Sequence, residues 1–155
     1  MTFQLTSPAF QNRSTVPARY TCSGEDLSPP FEWTEPPAGT QSFALVCEDP
    51  DAPGGTFHHW AAFDIPGDWR TLPEGLAPAD QQVSGLRQAT NDFGRSGYGG
   101  PCPPRGHGVH HYHFRLLALG VPRLDVTGRT TCARVAALAR GHALGSAELI
   151  GLFQR

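Results

Sequence analysis

From Ser42 to Asp49 the chain alternates so that Phe43, Leu45, Cys47 and Asp49 fall on one side of an extended strand, with Ala44, Val46 and Glu48 on the other. Each row is apolar until it ends on a carboxylate. A second strand is predicted from Phe57 to Ile65, with His59 in line with Ala61, Phe63 and Ile65, and His58 in line with Trp60, Ala62 and Asp64. Two largely apolar faces suit a central strand covered on both sides. A third strand, Val109 to Leu119, sets His110, Tyr112, Phe114, Leu116 and Ala118 on one face and His111, His113 and Arg115 on the other. Asp49, His59, His110 and Tyr112 therefore all stand at strand ends, on rows that are otherwise apolar.

Weaker patterns fill in the rest. The proline-rich stretch from Ser28 to Gly39 reads as an irregular connection with one short extended piece, because each proline removes a ladder donor. Asp68 to Pro78 reads as a surface loop, and Val83 to Thr90 as a short strand. A helix is expected over Thr131 to Arg140, with Val135 and Leu138 spaced for burial, Thr127, Thr130 or Thr131 as its cap and Gly141 as its stop. A last strand is expected from Leu144 to Phe153. Between strands, Asp49 to Gly55 (Asp-Pro-Asp-Ala-Pro-Gly-Gly) is turn chemistry. Asn91 to Gly108 is an 18-residue loop with six glycines and three prolines. Loops that long without structure of their own are functional or disordered, and the regular strand that follows argues for function.

Composition sets the frame. At 155 residues the chain reads as a single domain spanning 1–155, long enough to bury roughly 68–70% of the surface its unfolded form exposes. Its 18 glycines and 15 prolines are interspersed with aromatics, which favours many tight turns and a mainly β fold. There is no lysine, the arginines are scattered, and the net charge is −2, so no basic stripe is available for nucleic acid. The first residues lack a charged leader, and no stretch approaches the ~20 apolar residues of a membrane span. A soluble, cytoplasmic protein with no integral membrane association is expected. Cys22, Cys47, Cys102 and Cys132 form no Cys-x-x-Cys pair, so a zinc knuckle is disfavoured and the thiols are expected to stay reduced. Cys102, inside the glycine/proline loop, is placed to line a pocket.

Convergence of Asp49, His59, His110 and Tyr112 at one rim predicts an anion pocket. A carboxylate beside an imidazole favours the imidazolium, whose hydrogen bond to an anionic oxygen is worth about twice a neutral one. Tyr112 would add a donor, and loop amides from Gly100 to Cys102 would complete the cradle. The plainer alternative makes Asp49 a turn cap and His59 and His110 hydrogen-bonded core histidines. His58, His107, His111, His113 and His142 read as surface or packing residues. His111 and His113, with His107 nearby, form a His-x-His pattern, but no acid follows at a useful spacing, so a metal site is disfavoured. Gly94 to Tyr98 lacks the last glycine of a nucleophile elbow, the dinucleotide glycine spacing fails, and no P-loop lysine exists. No cofactor is expected.

Several long segments, in order, then carry a resemblance. They are Pro17-Ala18-Arg19-Tyr20-Thr21-Cys22 with Gly24 to Pro30, Asp49-Pro50-Asp51-Ala52-Pro53, and Phe57-His58-His59-Trp60. Asn91-Asp92-Phe93-Gly94, Gly97 to Pro104 and His110-His111-Tyr112-His113-Phe114 complete the set. The chain resembles, over nearly its whole length, the phosphatidylethanolamine-binding protein family in its bacterial branch of Raf kinase inhibitor-like proteins. The resemblance implies a mainly β fold, a sandwich of two antiparallel sheets, here with a short C-terminal helix, and a small anion pocket at one edge. Carried onto this chain, the pocket residues are Asp49, Asp51, Pro53, His59, Gly100, Pro101, Pro104, His110 and Tyr112, to which the loop reading adds Cys102. The implied function is noncatalytic binding of phosphate, phosphorylated headgroups or carboxylates, with kinase or protease regulation in some members and a homodimer compatible with the family. The contrasting reading is a metal-assisted or acid/base hydrolase using the same His/Asp rim.

Overall fold

The computed structural model describes residues 2–77 and 85–155, which hold, besides a short 3-10 helix at Ala18–Tyr20, nine strands and one α-helix. In chain order these are β1 (Gln4–Thr6), β2 (Ser14–Thr15), β3 (Phe31–Thr34), β4 (Ser42–Asp49), β5 (Phe57–Pro66), β6 (Thr71–Leu72), β7 (Arg87–Gln88), β8 (His110–Leu119), α1 (Cys132–His142) and β9 (Ala143–Phe153). The three strands with the clearest alternation, β4, β5 and β8, lie inside a six-stranded sheet ordered β2-β9-β8-β4-β5-β7. A three-stranded sheet, β1-β3-β6, packs over it. All pairings between these strands are antiparallel except the two-residue contact of β2 with β9, which is parallel.

Both faces of the large sheet are buried, and the two side-chain rows explain why. Phe43, Leu45, Cys47, Trp60, Tyr112, Phe114 and Leu116 meet Leu5, Phe31 and Trp33 of the small sheet. Ring centroids lie 5.1 Å apart for Phe31 and Phe114 and 5.3 Å for Trp33 and Phe43, within the range at which aromatic pairs add to area burial. Ala44, Val46, Ala61, Phe63, Leu117 and Leu119 form the opposite face and are covered by Cys132, Val135, Ala136 and Ala139 of α1. An 11-residue helix is marginal alone, so this contact supplies most of its stability. Thr131 is its cap, accepting a hydrogen bond from the Arg134 amide at 3.2 Å.

Several sequence expectations shift. Gly141 does not stop α1, which runs to His142 and passes directly into β9; the stop glycine would need a left-handed backbone that Gly141 does not adopt. Leu138 is only partly buried, while Ala136 and Ala139 take the sheet-facing positions. β3 is the short extended piece of the proline-rich stretch, but β6 falls in the segment read as a surface loop. Two-residue edge strands lack the alternation on which such a reading depends. Within the expected Val83 to Thr90 strand Arg87 and Gln88 form β7 and Thr90 makes isolated bridges to Ser96 and Thr131; Val83 and Ser84 lie outside the described residues. In β5, a bulge inserts one extra residue between the Phe43–Ile65 and Leu45–Ala62 pairs. Asp64 sits there at φ 55°, and Ile65 joins Trp60 and Ala62 in the inter-sheet core rather than Ala61 and Phe63.

Candidate functional site

A second bulge builds the site. Cys47 pairs with Trp60 but Glu48 pairs with His58, which leaves His59 as the extra residue of β5. Strict alternation would put His59 in the Ala61 row, under α1. The bulge instead brings it to the side carrying Asp49, His110 and Tyr112. All four side chains are buried, and all four line a cavity of about 190 Å³.

Asp49 serves two partners. One carboxylate oxygen accepts the Asp51 amide at 2.8 Å, closing the turn after β4. The other lies 2.6 Å from His110 Nδ1. The turn cap and the histidine partner, which the sequence presents as alternatives, are one residue. His59 donates its Nδ1–H to the Gly99 carbonyl at 2.7 Å, which leaves the lone pair of the neutral ring on Nε2. Burial pushes the His59 pKa down, against the opposing pull of the Gly99 carbonyl and Asp49. Unfolded chains therefore take up a proton that folded ones resist, so this contribution to stability is full above the usual histidine value of 6.5 and is lost as the pH falls below it. His59→Gln is expected to flatten the fall in melting temperature across that range; an unchanged slope would place the titration elsewhere.

Tyr112 completes the group. Its hydroxyl is buried and has no hydrogen-bond partner among the described residues. Burial, followed by the charge of Asp49, pushes the phenol far above its ordinary range, so it stays an O–H donor. A buried donor without an acceptor costs about 1–3 kcal/mol. His59 and Tyr112 pack edge to face at 5.3 Å.

The remaining predicted residues divide. Pro53, Cys102 and Pro104 line the same cavity. Asp51 does not; it is exposed and accepts the His111 amide and meets His111 Nδ1, both at 2.8 Å, outside the rim. Gly100 and Pro101 stand behind the wall. The Gly100 amide, expected to face an anion, donates to Asp26 at 2.8 Å, and the Pro101 carbonyl accepts from Cys22. Gly100 is required there by close approach, since a Cβ would lie 2.2 Å from the Tyr20 carbonyl oxygen. Cys102 is not a free thiol: it forms a disulfide with Cys22, while Cys47 and Cys132 are free and buried. Spacing could not show that pairing, because the two cysteines are 80 residues apart and meet only when the loop docks.

Sequence reading missed Ala52, Phe57, Phe93 and Pro103, which add to the lining. It also set His107 aside, yet its Nδ1 lies 2.6 Å from His110 Nε2. Strand periodicity carries no signal for a contact made from a loop. Three of the other histidines go to separate carboxylates, His111 to Asp51, His113 to Glu148 at 3.1 Å, and His58 to Glu48 and Asp92 at 3.2 and 3.1 Å, while His142 is exposed at the end of α1. The His107, His111 and His113 pattern is thus divided among three different partners.

The family model described as phosphatidylethanolamine-binding protein matches residues 6–154. The chain belongs to this family. Among its relatives, a UPF0098 protein of Aquifex aeolicus is 48% identical over 96% of this chain and 86% of its own length. A UPF0098 protein of Methanothermobacter thermautotrophicus is 45% identical over 97% of this chain and 98% of its own. The crystal structure of Escherichia coli YbcL, described as a new member of the mammalian PEBP family, superposes with a TM-score of 0.93 at 32% identity, covering 99% and 98% of the two chains. This member of the phosphatidylethanolamine-binding protein family shares that two-sheet fold, and among its described residues no helix is long and apolar enough to cross a membrane.

Proposed function

We propose that this protein is a noncatalytic binding protein whose cavity takes a small phosphate, phosphorylated headgroup or carboxylate. The observation that carries the reading is the buried Tyr112 hydroxyl, a partnerless donor lining the same cavity as the Asp49–His110 pair. An oxygen-rich anion satisfies that donor and accepts from His110 at once. Phe57, Phe93, Pro53 and Pro104 give the cavity apolar walls, suited to the carbon atoms of a headgroup. Inorganic phosphate and phosphoethanolamine should both give saturable heat by calorimetry, and His110→Ala should weaken them about tenfold or more, as for loss of a charge-assisted hydrogen bond. Absence of heat at millimolar ligand, or equal heat in His110→Ala, would remove the site.

The hydrolase reading has one point in its favour, the carboxylate-oriented imidazole of Asp49 and His110, which is the second half of a nucleophile–base arrangement. Among the described residues the cavity offers no free hydroxyl or thiol to complete it in that way: Cys102 is tied up as a disulfide, and the Tyr112 phenol is held protonated. A cytoplasmic setting and the Cys22–Cys102 disulfide pull in opposite directions, since cytoplasmic thiols are mostly kept reduced. Trapping thiols in intact cells before lysis decides it, with Cys22 and Cys102 resistant to alkylation if the disulfide persists in place.

A further inference from the structure

His110 has two polar atoms, and both are engaged. Nδ1 faces Asp49 Oδ2 at 2.6 Å and donates to it. Nε2 lies 2.6 Å from His107 Nδ1, so one nitrogen of that pair lends a lone pair and the other a hydrogen. An anion accepts from His110 Nε2 when that ring carries both protons, and it then meets an imidazole already there. Resting on the reading of the cavity as an anion site, we propose that His107 is an internal competitor of the ligand, an imidazole that caps His110 Nε2 and swings off when an anion takes its place.

The loop is built for such a movement at one end only. Its wall-forming part is locked: Gly100 is pressed on Tyr20, Cys102 is bonded to Cys22, and the Pro103 carbonyl accepts from Arg155 Nε at 2.7 Å. His107, in contrast, sits between Gly106 at φ 76° and Gly108 at φ 98°. No atom lies within 4 Å of where a Cβ would stand on either glycine. Both therefore occupy backbone conformations that side chains rarely adopt, with open space around them. The Gly106 amide to the Arg155 carbonyl at 3.0 Å and the His107 amide to the Pro104 carbonyl at 3.1 Å hold the backbone, so the movement is a rotation of the His107 side chain. His107 itself is exposed while His110 is buried, so the cap can leave without disturbing the core.

A cap of this kind lowers apparent affinity by the fraction of molecules in which it is closed. Removing it should raise affinity, the opposite of what damage to a pocket wall does. The test is calorimetric titration of wild type and His107→Ala with inorganic phosphate, with imidazole 15N spectra of His110 recorded without phosphate. His107→Ala is expected to bind phosphate about threefold to tenfold more tightly, the range set by one net hydrogen bond, and to shift the His110 Nε2 signal before any phosphate is added. Equal or weaker binding by His107→Ala, with His110→Ala still weakening it about tenfold or more, overturns the cap and leaves the anion site standing. Absence of binding by both wild type and His107→Ala overturns the anion site and the cap with it.

Discussion

Replacing Cys22 and Cys102 together by serine is expected to lower the unfolding free energy by about 4 kcal/mol, because the disulfide closes a loop of some 80 residues in the unfolded chain. Removing the link returns that loop-closure entropy to the unfolded ensemble, which is the larger part of a disulfide's effect in the chain-entropy account. Urea denaturation of the double variant against the oxidised wild type measures it. Wild type reduced by a dithiol should fall by nearly the same amount, since both treatments free the same loop. A loss below about 1 kcal/mol in both would mean that the unfolded chain is already held compact without the bridge.

The native loop is expected to keep its place in that variant. Gly100 N to Asp26, Cys22 N to the Pro101 carbonyl, and the Tyr98 hydroxyl to the Tyr20 carbonyl at 2.6 Å bind the same two segments together without sulfur. Stability and ligand binding should therefore separate: a large drop in denaturation midpoint, with phosphate affinity changed far less than in His110→Ala. Loss of both together would make the disulfide the element that shapes the cavity wall.

What was legible in the sequence follows from the range of each interaction. Strands β4 and β8 announce themselves through local alternation, and the Thr131 cap through the residue type that satisfies helix amides. Asp49, His110 and Tyr112 were legible because the rows on which they end are otherwise apolar. His59 is the instructive case: its own row points under α1, and only a bulge, which leaves no mark in the side-chain pattern, carries it to the cavity. The Gly100 amide was misplaced for a similar reason. Glycine and proline content predicts that a loop can present amides, but which partner takes them depends on Asp26, far away in sequence. Cys22 with Cys102, and His107 with His110, are likewise contacts that exist only after the loop has docked.

Asp64→Ala is expected to cost about 3–5 kcal/mol, the loss typical of removing one member of a buried ion pair. Asp64 is buried, and its two oxygens hold the Leu124 amide at 2.9 Å and Arg87 through Nε at 2.9 Å and Nη2 at 2.7 Å, with the exposed Arg123 farther off at 3.7 Å. Arg87 in turn donates to the carbonyls of Val126 and Leu124 and lies over the Phe63 ring. One carboxylate thus ties β5 and β7 to the segment leading into α1. Its backbone, at φ 55°, adds a second demand, since aspartate and asparagine tolerate the left-handed region better than alanine. Asp64→Asn keeps that tolerance and an oxygen for one partner, so its loss should be smaller, about 1–3 kcal/mol. Amide exchange should quicken at Leu124 and along α1 in Asp64→Ala before it does in the inter-sheet core. Equal losses for alanine and asparagine would assign the whole effect to the charge on Arg87, and equal protection of α1 in both variants and wild type would overturn the tie itself. His59 lies on the same strand beyond Trp60, behind its own bulge, so phosphate affinity of the folded fraction should stay at the wild-type value.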